Sequence, residues 1–190
     1  PAPLPTHSAL TDRPPRNRKD PALRILEASW YLPDAGRDPK AEYDAAHIPG
    51  ARFFDIDDIS DARSDLPHMA PPVEKFMSRL RAMGVGDGHQ VVVYDGAGLM
   101  SAARVWWLFR LMGQENVAVL DGGLPKWQAE GRETEDMPPV PRDRHMTVRF
   151  QNHLVRDVTA VPYNPLTLTT GDPMPDSGGP PHEEKKKKQR

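Results

Sequence analysis

The chain has 190 residues, with 25 Lys+Arg against 27 Asp+Glu and a formal charge of -2, so it has neither the basic footprint of a nucleic-acid binder nor that of a protein held on an anionic membrane. No apolar run approaches the roughly 18 residues that span a bilayer, and the opening residues lack the basic stretch and apolar core of a secretory signal. There is no cysteine, which excludes disulfides, thiolate-ligated metals and any thiolate nucleophile supplied by this chain.

Proline is enriched, 22 in all, and concentrated at the two ends. Residues 1–21 read as a disordered Pro-rich segment, and 163–190, ending in EEKKKKQR, as a disordered, solvated tail. Between them the hydrophobic pattern alternates. Residues 23–28 (LRILEA) form a β-prone run. Residues 39–46 have helix-forming composition with proline at the start. Residues 52–54 are a short apolar strand. Over 72–83, Val73, Phe76, Met77, Leu80 and Met83 recur at helical spacing and Gly84 closes the helix. Residues 91–94 (VVVY) and 117–120 (VAVL) are buried strands, 99–112 a helix stopped by Gly113, and 124–130 a helix ending at Gly131. Strands alternating with helices predict a three-layer α/β/α domain around a mostly parallel sheet, over 22–135, followed by a linker-like segment at 136–162. The helix over 99–112 is apolar nearly all round; Trp107, Leu108 and Leu111 lie off its main apolar face and are candidates, with the Trp30-Tyr31 loop, for an interface. No internal repeat is visible.

In a parallel sheet, ligands sit beyond the carboxyl ends of the strands. The loop after VVVY, Asp95-Gly-Ala-Gly-Leu-Met-Ser101, is a Gly-rich strand-to-helix turn that aims N–H groups at one point, an anion cradle in principle. A tight turn without a ligand is the plainer reading. A dinucleotide fingerprint is imitated but disfavoured, because Ser101 replaces the third glycine and Asp95 sets a carboxylate beside the would-be pyrophosphate.

Tyr43, then three residues, then His47-Ile-Pro49-Gly50-Ala, resembles the rhodanese signature. A polar cap is needed where a helix end leads into Pro49-Gly50, so His47 is read as structural, its imidazole bonding a loop carbonyl. The segments ASWYLP, FFDID, HM, YD, SAARVWW and LDGGLPKW follow in the order found in the N-terminal domain of tandem-rhodanese sulfurtransferases, the 3-mercaptopyruvate and thiosulfate enzymes. The resemblance covers about 23–131 and continues weakly to about 161.

The resemblance implies a two-domain enzyme whose C-terminal domain carries a cysteine in its strand-to-helix loop. That thiolate takes sulfur from a small-molecule donor as a persulfide and passes it to a thiol or cyanide. The N-terminal domain then forms one wall of the cleft and carries no nucleophile. Asp95 stands at the nucleophile-equivalent position, and local bonding within its turn is the role expected of it. In the mercaptopyruvate enzymes an Asp, a His and a serine of the second domain have been proposed as a triad beside the cysteine; the first two match Asp57 and His68, which favours 3-mercaptopyruvate over thiosulfate as donor. With the serine outside this chain, the plainer reading is that Asp57 caps a turn and His68 faces solvent. The resemblance also implies that the short strand and helix which normally open the domain are replaced by unrelated Pro-rich text, leaving a sheet edge open, and that the cysteine-bearing half does not follow. The expectations are therefore a cytoplasmic sulfurtransferase domain, inactive alone, needing no cofactor or metal, and prone to self-association through exposed interface surface. The competing expectation is a non-catalytic rhodanese-like binding or scaffold module.

Overall fold

A computed structural model describes the backbone of Ser8–Ala9 and residues 21–156. The tail at 163–190 and most of the Pro-rich 1–21 segment lie outside the described residues. Five strands form one sheet in the order β1-β5-β4-β2-β3, with β1 at Ser8–Ala9, β2 at Leu23–Glu27, β3 at Ala51–Phe53, β4 at Gln90–Tyr94 and β5 at Val117–Leu120. Every pairing is parallel, with Ile25 opposite Val92 and Ala51, and Val92 opposite Ala118. The α-helices among the described residues are α1 (Pro39–Ala45), α2 (Val73–Ala82), α3 (Ala102–Leu111) and α4 (Gly123–Ala129).

Because strand side chains alternate between faces, each strand feeds two cores. Leu26, Val91, Val93, Val117 and Val119 pack with Phe76 and Leu80 of α2 and Val105, Leu108 and Phe109 of α3. Leu23, Ile25, Val92, Tyr94 and Leu120 pack on the other face with Tyr43 of α1 and Trp127 of α4. The result is the three-layer α/β/α domain. Two charged residues of β2 are buried in it, Arg24 and Glu27. Arg24 is accommodated by backbone carbonyls: its Nε donates to Gly84 O at 2.8 Å and its Nη1 to Pro21 O at 2.8 Å and Leu23 O at 2.7 Å.

Three expectations are corrected. Leu108 and Leu111 are fully buried core residues and Trp107 packs against the same cluster, so this part of α3 is not an open interface; Tyr31 is buried as well. The edge of the sheet beside β5 is not open, because Ser8–Ala9 runs along it within the segment read as disordered. Finally, α3 begins at Ala102 rather than 99, and Leu99 and Met100 are exposed in the loop before it.

The linker-like segment folds back onto the domain. Met146 enters the first core. Arg149 N donates to Met112 O at 3.0 Å and Gln151 N to Leu111 O at 2.7 Å, satisfying carbonyls that the end of α3 leaves without an intrahelical partner. Gly86 permits the approach, since a Cβ there would lie 2.2 Å from the His145 carbonyl oxygen.

Candidate functional site

The site lies beyond the carboxyl ends of β2 and β4. Asp95 follows β4 and is almost wholly buried. Its Oδ1 accepts from Ala97 N at 3.0 Å; its Oδ2 accepts from Met100 N at 2.7 Å, Ser101 N at 2.9 Å and Ala102 N at 2.9 Å. The loop between β4 and α3 thus converges its amides on one point at the positive end of a helix, and the anion at that point is the chain's own carboxylate. Ser101 Oγ ties the helix start to β2, donating to Ala28 O at 2.6 Å and accepting from Trp30 N at 3.1 Å. Gly96 N donates to Ser29 Oγ at 2.7 Å, and the Ser29 hydroxyl donates to Glu27. Burial pushes the Glu27 carboxyl up to about 7 despite the bonds from Ser29, and its Oε2 has no partner. Gly123 lets the next loop close on this one: its φ is 53°, and a Cβ there would lie 2.4 Å from Asp95 O.

Beside this loop, Asp57 and His68 meet. His68 Nε2 lies 2.6 Å from Asp57 Oδ1, and the Trp30 indole N–H donates to the same oxygen at 3.0 Å. A carboxylate accepts, so Nε2 carries the hydrogen and Nδ1 is left for another partner. The turn here is capped by Asp55, whose Oδ1 accepts from Asp57 N at 3.0 Å and Asp58 N at 3.1 Å. Asp57 is therefore not the cap, and the half-buried His68 does not simply face solvent. Trp30 meets the imidazole edge-on, with centroids 4.8 Å apart. His68 has a φ of 54°, a left-handed conformation unfavourable for a residue with a Cβ, and Arg104 Nη2 donates to its carbonyl.

Trp30, Ile56, His68, Met100, Ser101 and Arg104 line a pocket of about 250 Å³. Arg104 is its cation. Among the described residues its guanidinium makes no ion pair with a carboxylate and its Nε has no hydrogen-bond partner, and burial lowers its pKa. Arg104 was not singled out from sequence, and Trp30 only as a candidate for an interface, although both lie in motifs that carry the family resemblance. Their signal was position, a guanidinium one helical turn past the loop and an indole at the end of a central strand.

His47, Pro49 and Gly50 lie apart from this pocket, against the second core. His47 is fully buried and stacks on Tyr43, ring centroids 4.1 Å apart, with Nδ1 2.7 Å from Tyr43 O. His47 and Glu135 exchange backbone hydrogen bonds at 2.8 and 2.9 Å. The Glu135 carboxylate accepts from Gly50 N at 2.6 Å, while its 3.7 Å separation from His47 Nε2 is too long for a hydrogen bond. Among the described residues, no group of His, Asp and Glu is placed to hold a metal ion, and no helix is long and apolar enough to cross a membrane.

A parallel three-layer domain whose strand-to-helix loop closes its amides on its own Asp95 carboxylate defines the class, an α/β domain with its site at the carboxyl ends of the strands. The family model for the rhodanese-like domain matches residues 21–130, and the chain belongs to that family. It is 56% identical over 119 residues to the mitochondrial thiosulfate/3-mercaptopyruvate sulfurtransferase 1 of Arabidopsis thaliana, covering 63% of this chain and 31% of that protein. It is 51% identical over 107 residues to the human 3-mercaptopyruvate sulfurtransferase, covering 55% and 36%. Its fold superimposes with a TM-score of 0.75 and 36% identity on SseA of Escherichia coli, a 3-mercaptopyruvate sulfotransferase, over 80% of this chain and 58% of that one. The chain therefore spans about a third of the length of these curated relatives.

Proposed function

We propose that this chain forms the donor-binding wall of a 3-mercaptopyruvate sulfurtransferase, and that the nucleophilic thiolate comes from a cysteine-bearing domain outside it. The observation that carries the reading is the Asp57–His68 pair, 2.6 Å apart, on a pocket whose cation has no carboxylate partner among the described residues. A 2-keto acid brings a carboxylate that Arg104 can receive, and a small thiol arm that fits the remaining space. The incoming thiolate bonds to the donor sulfur, the C–S bond breaks, and its electron pair leaves on the carbon as the enolate of pyruvate. That enolate takes up one proton. That proton is the one the donor's thiol gives up as the persulfide forms, and His68, its Nε2–H held by Asp57, is placed to relay it through Nδ1, the arrangement of carboxylate and imidazole used in general acid–base catalysis. Asp95 cannot hold sulfur, and its carboxylate fills the loop where a persulfide would sit, so the chain alone is inactive.

The test has two arms. The purified chain with mercaptopyruvate and a thiol acceptor releases no pyruvate and gains no sulfur by mass spectrometry. Joined to the cysteine-bearing domain of the Arabidopsis relative, it turns over, and His68→Asn lowers kcat by about 10²-fold or more, the usual contribution of a positioned acid or base. Turnover indifferent to His68→Asn defeats the reading. The filled loop also favours a second reading, a non-catalytic rhodanese-like module that binds the keto acid; it predicts that pyruvate shifts the Trp30 indole resonance of the lone chain while the joined protein stays inactive.

A further inference from the structure

A second cavity, of about 450 Å³, opens at the free edge of the sheet beside β3. It is bounded by α1, by β3 and the turn after it, by the end of α2, and by the proline run at 138–141. Its walls are largely apolar: the rings of Tyr43 and Phe53, Ile59, Met83 and Pro139. A volume of this size, mostly apolar with a few polar groups, is within the usual range of about 300–1,000 Å³ for small-molecule sites.

Three cations line it, and two are already neutralised. Lys40 Nζ bonds both carboxylate oxygens of Asp44. Arg79 is paired with Asp58, its Nη2 donating to Oδ1 at 3.0 Å. Arg52 is different. Its Nη1 donates to one backbone carbonyl, that of Gly50, at 3.2 Å. Its Nε is buried without a hydrogen-bond partner, and no carboxylate of the described residues pairs with it. The like charge of Arg24 acts on the same region from β2. The remaining carboxylate of the lining, Asp55, is turned to its own loop and caps Asp57 N and Asp58 N. A half-buried guanidinium in the lining of an apolar cavity, with no carboxylate partner among the described residues, is matched by an anion attached to an apolar body.

We propose that this cavity is a binding site for a small aromatic monocarboxylate, its carboxylate on Arg52 and its ring between Tyr43, Phe53, Met83 and the prolines. It is separate in position and residues from the Asp57–His68 pocket and does not depend on the sulfurtransferase reading. Carboxylate on guanidinium supplies the selectivity and the apolar walls supply the bulk of the contact.

The test titrates 2-naphthylacetate into the isotope-labelled chain by NMR, with 2-naphthylacetamide as the uncharged isostere. The acid binds with a Kd below about 1 mM and at least about tenfold more tightly than the amide, and the shifted resonances cluster at Phe53, Ala82 and Met83. Arg52→Gln removes the preference for the acid. Ala82→Trp, at an exposed position on the rim, weakens both compounds and leaves the fold intact, so it decides the question even if Arg52→Gln is too unstable to study. Equal binding of acid and amide, shifts centred on Trp30 and His68, an Ala82→Trp variant that binds as before, or no binding at about 10 mM would each overturn the proposal.

Discussion

Replacing Asp95 with alanine removes one side chain and strips four backbone N–H groups of their acceptor. Those of Ala97 and Met100 are only partly buried and can turn to water. Those of Ser101 and Ala102 are buried. A buried donor left unpaired costs about 1–3 kcal/mol, and loss of a negative charge at the start of α3 adds about 0.3–1 kcal/mol. The variant should therefore lose about 2–7 kcal/mol, a large part of a margin of about 5–15 kcal/mol. For a chain of this size that is a fall in Tm of roughly 4–28 °C. Asp95→Asn keeps an oxygen for the three donors now on Oδ2 and turns its amide toward Ala97 N, so its loss is smaller, about 1–2 kcal/mol. Urea unfolding monitored by tryptophan fluorescence measures both. Formate provides the control, since it has the shape and charge of the missing group. At about ten times its dissociation constant it restores about 1.4 kcal/mol to Asp95→Ala and nothing to the parent chain. A loss below about 1 kcal/mol in Asp95→Ala, or equal losses in the two variants, would refute the view that the loop is organised around its own carboxylate.

The Glu27 carboxyl is raised from 4.5 to about 7 by burial, so the folded state holds a proton that the unfolded chain has already released. Its contribution to stability is present below pH 4.5 and is lost as pH rises through about 7, a fall of about 3 kcal/mol across that window. Glu27→Gln should flatten that part of the profile and make the chain more stable than the parent at pH 8; matching urea midpoints for the two proteins from pH 4.5 to 8 would contradict it. Any concentration-dependent association of the chain is expected to run through the exposed Leu99 and Met100 beside the pocket rather than through α3, so Leu99→Ser with Met100→Ser should yield a monomer by sedimentation. An unchanged sedimentation profile would place the contact elsewhere.

β4 and β5 were legible because VVVY and VAVL are runs of β-branched or aliphatic residues buried on both faces, whereas β1, two residues inside Pro-rich text, was not. LRILE was legible as a strand although two of its five residues are charged, since Arg24 and Glu27 are absorbed by partners that local pattern does not reveal, a turn carbonyl at Gly84 and the hydroxyl of Ser29. The start of α3 was misplaced by three residues for a specific reason. Composition favours helix from Leu99, but Met100, Ser101 and Ala102 must aim their N–H groups at Asp95, which keeps the chain in a loop until Ala102. The proximity of Asp57 and His68 was suggested by their spacing, yet their pairing depends on Trp30, on Asp55 as the actual cap, and on Arg104 restraining His68 in a left-handed conformation. The 136–151 stretch was read as linker because prolines and charges dominate it. It is anchored by the buried Met146, by backbone bonds to the end of α3 and from Asp87 N to His145 O, and by Thr147 on Asp87 and Gln114, contacts too irregularly spaced to leave a periodic trace.

The filled loop and the open pocket constrain each other. Asp95 is tethered by its own backbone, so its carboxylate meets the loop amides at an effective concentration far above that of any free anion, of the order of 10⁵ M or more for a well-oriented intramolecular group. A free anion is therefore not expected to displace it. An anion arriving at this end of the sheet is left with Arg104, which is partly desolvated and has no carboxylate partner among the described residues. The pocket beside Arg104 also holds His68, so the guanidinium and the imidazole share about 250 Å³. Removing the Asp95 carboxylate should accordingly move the preferred anion position from Arg104 into the loop. Chemical-shift changes on adding pyruvate would then pass from the Trp30 indole in the parent to the amides of Ser101 and Ala102 in Asp95→Ala. If the Trp30 shift persisted unchanged in the variant, the two positions would not compete, and the division of labour between loop and pocket would have to be abandoned.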